Sequence, residues 1–200
     1  MTGAAAEPDE PAHFVLVFTG TLAQMPDTEV FLEALHDLLG RRPEIRRRLR
    51  ARLVGPFESD YADRAMALGL NAIVEFLGPR PHAEARSLQR SAEVLLLWKP
   101  RGCPTMVPGK LYEYLDAGRP LLAVLEPEEE AAALARRAGA VVVRPGDREA
   151  LAREIERLYQ SWREGGRLAT ARLSWLSEYT RAGLSARLAT LLDELVAAPA

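Results

Sequence analysis

The stretch 104-PTMVPGKLYEYLDAGRPLLAVL-125 holds a turn, a short helix, a stop and a strand in succession. Pro108-Gly109 makes the turn, and Lys110, Leu111, Glu113, Tyr114 and Leu115 follow at helical spacing. Gly118 and Pro120 stop the helix before an apolar run that reads as a buried strand. Lys110 and Glu113 therefore stand on the first turn of that helix. Backbone N–H groups left over at a helix start attract anions, and a lysine there adds a full charge. A carboxylate three residues on can accept from paired hydroxyls. A phosphate beside a diol is what a nucleotide presents. The plainer alternative is a solvated surface turn, the commonest setting for a lysine and a glutamate on an exposed helix, so the rest of the chain has to decide.

Working outward, Phe14–Thr19 (FVLVFT) is β-branched and aromatic and leads into Gly20-Thr21-Leu22. An amphipathic helix follows, with Thr28 as its expected N-cap, Gly40 as its stop, and Val30, Phe31, Ala34, Leu35, Leu38 and Leu39 along one face. Residues 51–55 read as a second strand, 59–68 as a helix capped by Gly69, 73–77 as a third strand, and 82–90 as a helix. The run 93-EVLLLW-98 is apolar throughout, which places it in the middle of a parallel sheet with both faces covered. Downstream, 126–137 reads as a helix and Val141–Val143 as the last strand. Asp147 is the expected cap of a long helix through Leu151, Ile155, Leu158 and Trp162.

This alternation predicts an α/β chain, a single Rossmann-like doubly wound parallel sheet of about six strands. Residues 1–12 are expected to be a disordered leader or linker, 13–166 the sheet domain, and 167–200 a C-terminal helical extension. Leu184, Leu188, Leu191, Leu192 and Leu195 form an apolar stripe on that extension, to be covered by this chain's own sheet or by another half. Ligands of open parallel sheets bind outside the carboxyl ends of the strands. Gly20, Thr21, Gly55, Gly78, Arg80 and 109–113 all follow strands and should share one rim.

Bulk composition narrows the function. The chain has 200 residues, 48% of them hydrophobic, and a formal net charge of −2, which suits one domain of this type, not two, and disfavours a nucleic-acid partner. One cysteine, Cys103, excludes an internal disulfide and a multi-cysteine zinc site and suits a reducing cytoplasm. The arginine run at 41, 42, 46, 47, 48, 50 and 52 reads as the solvated side of a connecting helix or as a contact for anionic lipid. No Asp-x-Asp pair, phosphate-loop pattern or G-x-G-x-x-G fingerprint occurs, so kinase, GTPase and dehydrogenase readings have no support.

Pro108-Gly109-Lys110-Leu111-Tyr112-Glu113-Tyr114-Leu115 followed by Ala117-Gly118-Arg119-Pro120 resembles the signature of the carboxyl-terminal, donor-binding half of family-4-like glycosyltransferases of GT-B fold, the glycosyl transferases group 1. The resemblance implies that Glu113 accepts from the ribose hydroxyls of a nucleotide-diphosphate sugar. It implies that the helix start at Gly109, Lys110 and Leu111 faces the diphosphate, that Gly20 and Thr21 lie near the same phosphates, and that backbone at Gly78 and Arg80 meets the base. Family members often carry a further glutamate eight residues before the first, contacting the transferred sugar; Thr105 stands there in this chain. Many also have a lysine after the Gly-Thr-Leu turn, which 22–27 lacks, so Lys110 becomes the catalytic candidate.

Implied with these are retention at the anomeric carbon and no metal or other cofactor. The acceptor-binding Rossmann-like half is implied in cis or in trans, so that the isolated chain binds donor without turnover. Location is expected to be cytoplasmic, at the inner membrane face if the arginine run meets lipid. Two other readings stay open: a non-catalytic nucleotide-binding or scaffolding domain of the same fold, and a relative of nucleotide-sugar epimerases.

Overall fold

The structure, a computed structural model, describes residues 13–23, 25–165 and 173–197. The expected leader at 1–12 and the boundary at 166 therefore lie outside the described residues. The strands are β1 (Phe14–Thr19), β2 (Leu49–Val54), β3 (Val74–Gly78), β4 (Val94–Trp98), β5 (Leu121–Val124) and β6 (Val141–Val143). They form one sheet in the order β3-β2-β1-β4-β5-β6, and every pair is parallel. The α/β doubly wound class read from the sequence is the one observed.

Strand alternation splits the core into two layers. Phe14, Leu16 and Phe18 of β1, Leu96 and Trp98 of β4 and Leu122 of β5 face one layer. It is closed by α1 (Asp27–Arg41), α2 (Ser59–Ala67) and α6 (Arg148–Gly165). Val17, Leu95, Leu97 and Ala123 face the other, with α4 (Gly109–Ala117) and α5 (Glu130–Arg137) against them and Leu88 of α3 (His82–Ser91) at its margin. The second layer is built largely from alanines of α5, Ala131, Ala132 and Ala135, so that helix lies close to the sheet.

Several boundaries moved for identifiable reasons. Helix α1 begins at Asp27, not with Thr28 as its cap: Asp27 is buried and accepts from Arg101 (2.7 Å) and from the Gly146 amide (3.1 Å), while the Thr28 hydroxyl has no partner among the described residues. The helix also runs through Gly40 to Arg41, and Pro43 opens a separate 3₁₀ turn, Pro43–Arg47. Helix α5 starts at Glu130 because Glu126-Pro127 opens a turn, closed by the Glu129 amide on the Glu126 carbonyl (3.1 Å). Strand β2 begins at Leu49, which turns part of the arginine run into strand. Asp147 does cap α6, accepting from the Ala150 amide at 2.9 Å.

The arginine run lies before and within β2, at the amino ends of the strands. Arg42 pairs with Glu156 (2.7 Å), Arg52 with Glu75 (3.1 Å), and Arg46 donates to the Gly69 carbonyl (2.8 Å). Part of the run is thus structural.

A 3₁₀ turn, Ser174–Tyr179, lies on α4 and leads into α7 (Arg181–Ala197). Tyr179 stacks on Tyr112 (ring centroids 5.1 Å apart), and the Arg137 guanidinium sits 4.4 Å from the Trp175 ring centre. The stripe on α7 is not covered: Leu184, Leu188, Leu191 and Leu192 are 50–58% exposed. No helix among the described residues is long and apolar enough to cross a membrane.

Candidate functional site

Chain connections leave β1 in opposite directions along the sheet, so the β1/β4 edge is its switch point. The two strands pair only at Leu16↔Val94 and Val17↔Leu95. Beyond Val17 the end of β1 needs another partner, and α4 supplies it: the Tyr114 hydroxyl accepts from the Thr19 amide at 2.7 Å and lies 3.2 Å from the Thr19 carbonyl. Tyr114 is fully buried, and burial pushes its phenol well above the ordinary tyrosine value, so it acts as a neutral donor and acceptor. Gln89 of α3 donates to the Thr19 hydroxyl (2.8 Å) and to Glu113 Oε2 (3.3 Å). Lys110 Nζ donates to the same carboxylate oxygen at 2.9 Å. Arg86 adds a bond to the Glu113 carbonyl (2.9 Å) and pairs with Asp116. The first turn of α4 is therefore held to β1 and α3 by a connected polar network.

Glycines bring the neighbouring loops together. The Gly20 amide donates to the Val54 carbonyl (2.8 Å) and the Gly55 amide to the Gly78 carbonyl (2.9 Å). A Cβ on Gly55, whose φ is +135°, would fall 1.8 Å from the Gly20 carbonyl oxygen. Only glycine allows that approach.

Two clefts open along this rim. The smaller, about 290 Å³, lies among Gly20, Thr21, Gly55, Pro79, Arg80, His82 and Lys110. The larger, about 450 Å³, lies among Phe18, Gly20, Thr21, Met25, Trp98, Met106, Pro108 and Lys110. They share Thr19, Gly20, Thr21 and Lys110, so the β1 loop and one lysine form the saddle between them. A third cleft, about 520 Å³, lies between α3, α4 and the 3₁₀ turn and is lined by His82, Arg86, Tyr112, Glu113, Asp116 and Tyr179 among others. His82 is common to it and the smallest cleft.

The expected site residues thus divide. Gly20, Thr21, Arg80 and Lys110 come together around the first two clefts. Glu113 lines the adjoining third cleft and is joined to them through Lys110. Gly109 is exposed at the head of α4. The remaining three lie elsewhere. Leu111 is buried in the second core layer, and its amide already donates to the Pro108 carbonyl (2.9 Å). The Gly78 carbonyl is committed to Gly55. Thr105 is exposed in the β4–α4 loop and lines none of the three clefts.

Burial pushes the Glu113 carboxyl up, but hydrogen bonds from Lys110 and Gln89 and the charge of Lys110 outweigh it, leaving the group below its ordinary 4.5. Glu113 is ionised at neutral pH, and both its contacts fall on Oε2. No described residue donates to Oε1. Lys110 has donors beyond the one given to Glu113. Among the described residues no group of three or more histidine, cysteine or acidic side chains could hold a metal ion.

The model of the glycosyl transferases group 1 family matches residues 13–161, which covers the whole sheet and the rim just described. The chain belongs to this family. Its fold is that of WaaG, a glycosyltransferase involved in lipopolysaccharide biosynthesis, at 20% identity over 88% of this chain and 44% of that one (TM-score 0.62). The UDP-forming α,α-trehalose-phosphate synthase of Burkholderia xenovorans matches at 17% identity over 94% of this chain and 45% of its own (TM-score 0.62). The α,α-trehalose 6-phosphate synthase of Burkholderia multivorans matches at 15% identity over 93% and 43% (TM-score 0.64). At these identities the likeness establishes the fold, and this group 1 chain spans less than half the length of each. No curated protein sequence matches it.

Proposed function

We propose that this glycosyltransferase-family chain is the donor-binding half of a retaining, metal-independent enzyme that takes a sugar from a nucleotide-diphosphate sugar. The observation that carries the reading is the saddle: two clefts meeting at the Gly20-Thr21 loop, Lys110 and the head of α4. A nucleotide sugar has the same layout, with a nucleoside and a sugar on either side of a doubly charged linker. The nucleoside belongs in the cleft beside Arg80, its ribose toward Glu113, the diphosphate on Lys110, and the sugar in the larger cleft.

Lys110 and the positive end of α4 then offset the charge that grows on the leaving diphosphate as the glycosidic bond breaks. Ionised Glu113 holds Lys110 in place through one oxygen and offers the other to the pentose. One of the structures sharing the fold is described as UDP-forming, which supports a nucleotide leaving group for this chain.

The acceptor side belongs to a second Rossmann-like half, in cis or in trans. The exposed leucines of α7 and the chain's share of the longer proteins it matches support that division. On this reading the isolated chain binds donor and does not turn it over, and steady turnover would disprove it. We place the protein in the cytoplasm, with exposed Arg41, Arg47 and Arg48 as its lipid-facing edge. A second reading, a binding domain that has lost chemistry, is favoured by the position of Thr105 outside the clefts; the family match offers nothing for an epimerase.

Calorimetric titration with UDP, GDP, ADP and TDP tests the proposal. One of them should bind, and Glu113→Ala should weaken it tenfold or more. Unchanged affinity removes the role of Glu113, and no response to any of the four favours the scaffold.

A further inference from the structure

The larger cleft is a chemically unusual place for a sugar. Its walls include Phe18, Met25, Trp98, Met106 and Pro108, with Phe18 and Trp98 stacked at a centroid distance of 4.3 Å. A plain hexose brings hydroxyl groups that each need a partner once water is removed.

Most of the polar side chains around this cleft are already committed. The Thr19 hydroxyl accepts from Gln89, and its amide donates to Tyr114. Lys99 is buried, pairs with Glu129 at 2.7 Å and donates to the carbonyls of Cys103 and Met106. Lys110 is assigned above to the diphosphate. The indole N–H of Trp98 has no acceptor among the described residues, but it is buried. Among the described residues Thr21 is the one exposed side-chain hydroxyl left on the lining. Among the described residues no carboxylate lines this cleft.

We infer that the transferred sugar carries a methyl group where a plain hexose has a hydroxymethyl, as in 6-deoxyhexoses, and that this methyl seats against Met25, Met106 and the Trp98 ring. The inference rests on the donor-binding reading above and deepens it. Burying a methyl on an apolar wall is favourable, whereas burying an unpartnered hydroxyl there is costly. The two effects act in the same direction and together should exceed tenfold in affinity.

Matched pairs that differ only in the C6 hydroxyl provide the test on the intact chain: UDP-, TDP- or ADP-6-deoxyglucose against the corresponding glucose donor, and GDP-6-deoxymannose against GDP-mannose, each referred to the nucleoside diphosphate. For the base the protein takes, the methyl-bearing donor should bind at least tenfold tighter than its hydroxylated counterpart. Met106→Gln should narrow that gap while leaving affinity for the nucleoside diphosphate unchanged. Equal or tighter binding of the plain hexose donor would overturn the inference and leave the donor-binding reading standing. Failure of every nucleoside diphosphate to bind would overturn both.

Discussion

Helices α4 and α7 are finished to different degrees. Around α4 the polar groups are matched: Tyr114 to Thr19, Gln89 to Thr19 and Glu113, Lys110 to Glu113, Arg86 to Asp116. On α7 four leucines stand half in solvent. One helix is complete within this chain, and the other leaves its apolar stripe in solvent. Buried polar networks are costly when incomplete, so a site helix has to be closed before ligand arrives. An apolar stripe can wait, because its burial occurs when the partner docks.

The contrast can be broken from the rim. Gly55→Ala places a methyl on the Gly20 carbonyl in a backbone region that alanine avoids, and should cost at least about 3 kcal/mol in urea unfolding. A cost under about 1 kcal/mol would show the rim to be more pliant than its geometry. Tyr114→Phe strips the Thr19 amide of its acceptor in a buried setting, a loss of roughly 1–3 kcal/mol, with weaker nucleotide binding because the head of α4 loses its tie to β1.

Acid sharpens the comparison at smaller amplitude. Glu113 sits below its ordinary value when folded, so its contribution is fully present above pH 4.5 and is lost as pH falls through the lower folded value. Wild type should therefore lose stability relative to Glu113→Gln as pH falls below 4.5; parallel curves throughout would show the ion pair to be inert. The smallest effect belongs to α7. Changing Leu184, Leu188, Leu191 and Leu192 together to Gln should leave the melting temperature of the isolated chain nearly unmoved, within about 0.5 kcal/mol, and should reduce its self-association in sedimentation. A clear loss of stability would mean that those leucines are covered after all.

The sheet was readable because strands buried on both faces appear as unbroken apolar runs such as EVLLLW, and helices as a 3.6-residue pattern. Gly20, Thr21, Arg80 and Lys110 were readable as neighbours because carboxyl ends of parallel strands share an edge. Less was legible where a distant residue sets the outcome. Local capping rules point to Thr28, but the helix starts one residue earlier, at Asp27, whose buried carboxylate is held by Arg101 and the Gly146 amide. Tyr114 reads as one more apolar helix residue, yet its hydroxyl anchors a strand end 95 positions away. Position alone does not reveal that the Leu111 amide and the Gly78 carbonyl already have partners in Pro108 and Gly55.

The stack of Tyr179 on Tyr112 has a mechanical consequence. Tyr179 lies in the segment that leads out to α7, and Tyr112 is adjacent to Glu113 along the chain. Any rearrangement that swings α7 toward a docked companion must either carry Tyr179 with it or peel the two rings apart, and both reshape the wall beside that carboxylate. On the reading proposed above, docking of a second half would then be felt beside Glu113 through one pair of aromatic rings.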